Sequence, residues 1–89
     1  MNQQRILLVD DEKNITDLAQ MYLEREGFQT ESIHEGITAL NLIRENPPAV
    51  VVLDLMLPGL DGFEICRKLR AENIQVPVIL LTARDEDVD

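Results

Sequence analysis

Val50-Val51-Val52-Leu53-Asp54-Leu55-Met56-Leu57-Pro58-Gly59-Leu60-Asp61-Gly62 is the stretch of this chain whose reading decides its fold. Its first four residues are aliphatic with no polar alternation. Such a run predicts a strand covered on both faces, the environment of a parallel sheet. The run ends in Asp54, which puts a carboxylate at the C-terminal end of that strand. In open parallel sheets ligands bind outside the carboxyl ends of the strands. Asp54 is therefore placed for chemistry and not for the core.

Two further runs share this character, Ile6 to Val9 and Val76 to Leu81, while Phe28 to Ile33 alternates apolar and polar residues and reads as a more exposed edge strand. Helical spacing separates them. Ile15, Leu18, Ala19 and Tyr22 form the expected core stripe of a first helix, with Gly27 as its stop. Ile37, Leu40 and Ile43 mark a second, ended by Pro47-Pro48. Leu60, Phe63, Cys66, Leu69 and Arg70 line a third, ending near Asn73. Alternating strands and helices predict an α/β domain with helices on both faces of a parallel sheet.

The chain has 89 residues, enough for one domain, and 45% of them are hydrophobic with 28% charged. Eight basic against 17 acidic residues give a net charge of −9, which argues against direct binding of nucleic acid or an anionic membrane by this segment. The single cysteine, Cys66, rules out an internal disulfide and fits a reducing cytoplasm. Neither a signal peptide nor an apolar run of membrane-spanning length is present. The last five residues hold four acids, a fitting first turn for another helix, and the sequence reads as a domain interrupted there.

Asp10 and Asp11 follow the first strand, Asp54 ends the third, and Thr82 closes the fourth. With the first and third strands as neighbours, these groups converge on one crevice. Clustered carboxylates repel unless one is protonated or a cation neutralises them. An all-oxygen donor set without His or Cys suits a hard ion such as Mg²⁺. A carboxylate beside such an ion is a nucleophile towards phosphorus. Taken singly, any of these acids is equally a helix cap or a solvated group, and Asp11 is placed to cap the helix that begins near Lys13. The combination carries the argument.

These residues resemble a known family. Leu8-Val9-Asp10-Asp11-Glu12, the stretch from Asp54 to Gly62, and Pro77-Val78-Ile79-Leu80-Leu81-Thr82-Ala83 are similar, in order and spacing, to the receiver domains of bacterial two-component response regulators. The resemblance implies a flavodoxin-like (CheY-like) doubly wound sheet of order 2-1-3-4, lacking the fifth strand and last two helices, so that residues 1–89 are the N-terminal portion of a receiver domain. It implies that Asp54 accepts a phosphoryl group from a sensor histidine kinase or a small phosphodonor. Asp10, Asp11, Asp54 and the backbone carbonyl of Met56 would bind Mg²⁺, and Thr82 would act as the switch hydroxyl. The module would signal from the cytoplasm to an output domain, a DNA-binding one in regulators with similar loop wording. It would not be an enzyme beyond phosphotransfer to itself and autodephosphorylation. Neither Lys13 nor Lys68 suits the lysine that the family places after its fifth strand.

Other readings remain. A metal-dependent phosphohydrolase of the haloacid-dehalogenase type wants a second aspartate two residues after the first, where this chain has Met56. An inactive structural fragment would follow from the absent lysine. The apolar fourth strand, left at an edge, would invite a dimer or domain swap. His34 reads as an ordinary surface residue, Cys66 as core, and Glu64 with Lys68 as a surface pair at i, i+4.

Overall fold

The computed structural model describes residues 4–81. Strands β1 (Arg5–Val9), β2 (Gln29–Ile33), β3 (Val50–Asp54) and β4 (Val78–Leu81) alternate with helices α1 (Lys13–Arg25), α2 (Gly36–Glu45) and α3 (Gly62–Ala71). All strand pairings are parallel and the sheet order is β2-β1-β3-β4. This is the flavodoxin-like arrangement expected from the sequence, with the alternating segment at one edge and the apolar fourth strand at the other. No helix among the described residues is long and apolar enough to cross a membrane.

One face of the sheet is sealed. Leu7 and Val9 of β1 and Val51 and Leu53 of β3 meet Ala39, Leu40 and Ile43 of α2, Ile65 and Leu69 of α3, and Leu57 from the loop between. Four of the largest, Leu7, Ile43, Leu53 and Ile65, are fully buried. The arginine fork of Arg44 ties α2 to the end of α3, its Nε and Nη2 donating to Glu72 at 2.8 and 2.5 Å. Arg44 thereby holds the Glu72 carboxyl below its usual range.

The other face departs from the sequence expectation. Ile15, Leu18 and Tyr22, expected in the core, stand out in solvent, and Arg25 lies 5.8 Å from the Tyr22 ring centroid. The stripe of α1 that meets the sheet is Thr16, Ala19, Gln20 and Leu23. The reason lies in β2. Successive strand residues point to opposite faces, so Ile33 joins the sealed core while Thr30 and Ser32 turn to α1. A polar strand face selects a polar helix stripe: Gln20 Nε2 donates to Thr30 Oγ1 at 2.9 Å, and Thr30 Oγ1 donates to Glu24 at 2.7 Å. Ranking stripes by hydrophobicity alone picks the wrong one.

Smaller corrections follow the same logic. Ile37 and Phe63 are exposed, 62% and 59%, because Leu40, Ile43, Ile65 and Leu69 supply the inward faces of α2 and α3. Cys66 is only half-buried at the margin of that core. Glu64 pairs with Arg67 at i, i+3, at 2.5 Å, and not with Lys68. Gly27 stops α1 as expected, at φ +95°.

Gly36 opens α2 against the backbone of Leu60, whose carbonyl oxygen occupies the space that a Cβ would need. Gly36→Ala should therefore destabilise the fold by about 1–3 kcal/mol, the usual cost of overpacking. Urea unfolding should show a lowered midpoint with an unchanged slope.

Candidate acidic site at the carboxyl edge of the sheet

Strand register builds this site. Val9 pairs with Leu53, so β1 and β3 end level, and Asp10 follows β1 just where Asp54 ends β3. The Asp10 N–H donates to Ile33 O at 3.1 Å, extending the β1–β2 ladder one residue beyond the strand. Asp10 Oδ1 accepts the Glu12 N–H at 2.9 Å. This side-chain turn fixes the Asp10 carboxylate and swings Asp11 outward. Asp54 Oδ1 accepts the Met56 N–H at 3.3 Å. Beyond it the backbone is pinned on both sides: the Leu55 N–H donates to Leu81 O at 3.1 Å, and the Gly62 N–H to Leu55 O at 3.2 Å.

Asp10, Asp11 and Asp54 are thereby brought together, each offering an oxygen that lies within 4.8 Å of the others. Asp10 is buried, Asp54 half-buried and Asp11 exposed. Burial pushes the Asp10 carboxyl above its ordinary value, outweighing the pull of the Glu12 N–H, and the carboxylates of Asp54, Asp11 and Glu12 push it further up. The cluster fits a hard cation. Oxygens bound directly to Mg²⁺ at about 2.1 Å lie up to about 4.2 Å apart, and retained water extends that reach. Asp11 is not a helix cap: Glu12 holds the N-cap position, and no side chain caps the helix. Met56 is exposed at 67%, on the solvent side of the loop that leaves Asp54. Thr82 lies outside the described residues.

Two features escaped the sequence reading. Asp61 caps α3, its Oδ1 accepting the Glu64 N–H at 2.9 Å. The Asp-x-x-Glu spacing carried that signal. His34 is not a plain surface residue: it is half-buried, with Nε2 3.2 Å from the buried Thr16 hydroxyl. No local pattern announces that pair. A groove of about 690 Å³ lies away from the acids, between α3 and β4, where Cys66, Leu69, Val76 and Leu80 line it. The three carboxylates form a separate cluster at the sheet's carboxyl edge.

A parallel sheet with a carboxylate cluster at its carboxyl edge defines an open α/β domain, the class whose ligands bind outside the carboxyl ends of the strands. The comparisons narrow the class. Residues 6–89 match the response regulator receiver domain model, and the chain belongs to that family. It is similar to the receiver domain of the Francisella response regulator 1452, at 38% identity over 94% of this chain and 69% of that one, with a TM-score of 0.88. The BeF3-activated N-terminal receiver domain of Klebsiella pneumoniae RstA matches at 36% identity over 93% of this chain and 70% of that one, TM-score 0.82. A signal receiver domain from Vibrio parahaemolyticus matches at 27% identity and TM-score 0.88; the match covers 96% of this chain but only 65% of that one. As a receiver domain, the chain is a signalling module.

The raised Asp10 value has a consequence for stability. A group whose folded-state value lies above its unfolded one favours the fold at low pH, and that contribution is lost as pH rises through the raised value. At neutral pH the ionised Asp10 is therefore a standing cost. Asp10→Asn keeps the acceptor for Glu12 and removes the charge. It should raise Tm at pH 7 in EDTA, with the gain shrinking towards pH 4. Thermal unfolding monitored by circular dichroism checks both.

Proposed function

We propose that this chain receives a phosphoryl group on Asp54 and that Asp10 and Asp11, with Asp54 and the Met56 carbonyl, hold the Mg²⁺ that accompanies transfer. The observation that carries the reading is the convergence of three carboxylates at the level ends of β1 and β3 in a chain of the receiver family. Bound there, the cation would offset the negative charge that gathers on the transferring group.

The chain's own residues do the rest. The Met56 N–H holds Asp54 Oδ1 and orients the carboxylate. An Asp54 oxygen attacks phosphorus in line with the leaving group, either the imidazole nitrogen of a phosphohistidine on a sensor kinase or the acetate oxygen of acetyl phosphate. The P–N or P–O bond breaks as the new Asp54 O–P bond of an acyl phosphate forms; the released histidine takes up a proton, or acetate leaves as its anion. Thr82 is read as the hydroxyl that engages the phosphoryl group, because it follows Leu81, the register partner of Asp54. Hydrolysis of the acyl phosphate in the same crevice would return the module to rest; with phosphotransfer to itself, this would be its only self-directed chemistry.

The partners follow from this chemistry: a sensor histidine kinase as donor and an output domain, of the DNA-binding kind, as recipient of the signal. The lone half-buried Cys66, its thiol pushed up by burial, suits the reducing cytoplasm where such a kinase acts. The outer edge of β4, with Ile79, Leu80 and Leu81 exposed, supports pairing with a second copy. Sedimentation equilibrium at rising concentration would show a dimer that Leu80→Lys abolishes.

Intact-mass spectrometry tests the main reading. After incubation with acetyl phosphate and Mg²⁺, the chain should gain the mass of one phosphoryl group. Asp54→Ala should abolish the gain, and so should EDTA. No gain with Mg²⁺ present would overturn Asp54 as an acceptor in this chain.

A further inference from the structure

We infer that His34 is a positioning residue for the acidic site, acting through Thr16 to hold the Asp10–Glu12 loop in its cation-binding shape. The inference rests on the reading of Asp10 and Asp11 as cation ligands.

The geometry is a closed ring of hydrogen bonds. Ile33 O accepts the Asp10 N–H at 3.1 Å. Asp10 Oδ1 accepts the Glu12 N–H at 2.9 Å. Glu12 O accepts the Thr16 N–H at 3.3 Å. Thr16 Oγ1 lies 3.2 Å from His34 Nε2, and His34 is covalently joined to Ile33. The two residues at the end of β2 thus grip the acidic loop from both sides: Ile33 before the turn, His34 after it.

Lys13 O lies 3.1 Å from Thr16 Oγ1 and can only accept the hydroxyl proton. With that proton so placed, Thr16 Oγ1 accepts from His34 Nε2, and the inferred role takes Nε2 as the donor. Both the Nε2–H tautomer and the imidazolium can do so, and the ring of bonds survives either state. Thr16 is only 2% exposed, so water cannot readily replace the imidazole as donor. An acceptor left unmet at that depth is destabilising. Without the His34 donor, the first turn of α1 loses its tie to β2, and the Glu12 N–H that orients Asp10 loses its support.

His34→Phe keeps a ring and removes the donor; His34→Gln places an amide N–H near the position of Nε2. Supporting residues behind metal ligands typically change affinity by about 10- to 100-fold. His34 stands one contact further back, so His34→Phe should weaken Mg²⁺ binding to the full chain by about tenfold at most. His34→Gln should restore most of it. Calorimetric titration with Mg²⁺ reads the affinity, and hydrogen exchange reads the Asp10 and Glu12 amides without metal. Faster exchange at both amides in His34→Phe, with Gln rescue, is expected even if wild type binds no Mg²⁺; that last result would remove the metal reading alone. Unchanged exchange at both amides in His34→Phe would overturn the positioning role, as would wild-type Mg²⁺ affinity in that variant where wild type binds normally. A loss of affinity matched only by global unfolding, with uniformly faster exchange and no rescue by Gln, would overturn it too.

Discussion

Parallel pairing of β1 with β3 is the constraint on which the rest depends. It sets Asp10 and Asp54 side by side although 44 positions separate them in the sequence. Left to themselves the carboxylates would part: unit charges at such spacing repel by roughly 3 kcal/mol in a partly screened protein environment. The hydrophobic side is larger. Leu7, Val9, Val51 and Leu53 are each at most 1% exposed, and each such side chain contributes about 1.5–3 kcal/mol. The sealed face of the sheet therefore holds the charges together at its edge, and the cost is concentrated on Asp10, the most buried of the three.

The two faces of the sheet do different work. The α2–α3 face is apolar, and the Arg44 fork on Glu72 clamps its helices together. The α1 face is wired by side-chain hydrogen bonds that join Gln20, Thr16 and Glu24 with β2 and its flank. Apolar packing tolerates small slides, whereas hydrogen bonds fix position and orientation. It is consistent that the loop needing the tightest placement, Asp10 to Glu12, springs from the polar face. Among the described residues the buried Ser32 hydroxyl has no hydrogen-bond partner.

How much of this was legible in the sequence follows from the range of the forces involved. The apolar runs at Ile6 to Val9 and around Val50 to Leu53 declare buried parallel strands, because burial on both faces leaves no room for polar residues. Asp10, Asp11 and Asp54 stand out because each interrupts or ends such a run. The α1 stripe was misread because two patterns compete on that helix. Ile15, Leu18 and Tyr22 are more hydrophobic, but Thr16, Ala19, Gln20 and Leu23 complement β2. Complementarity between residues 10 positions apart, as between Gln20 and Thr30, has no local signature. The His34–Thr16 contact was invisible for the same reason, since neither residue type announces a partner.

The wiring of Asp54 suggests how charge at one atom reaches a surface. Its carboxylate is the acceptor for the Met56 N–H, and the next backbone amide, that of Leu55, is bonded to Leu81 at the end of β4. An acyl phosphate leaves a poorer acceptor at the carboxyl group and places better ones, the phosphoryl oxygens, just beyond it. The Met56 amide and whatever follows Leu81 then face a changed set of partners at the same edge of the sheet. Asp10 and Asp11 follow β1 and are held through the β2 flank, so the change falls on the Asp54 side of the crevice, where Leu55 ties β3 to β4.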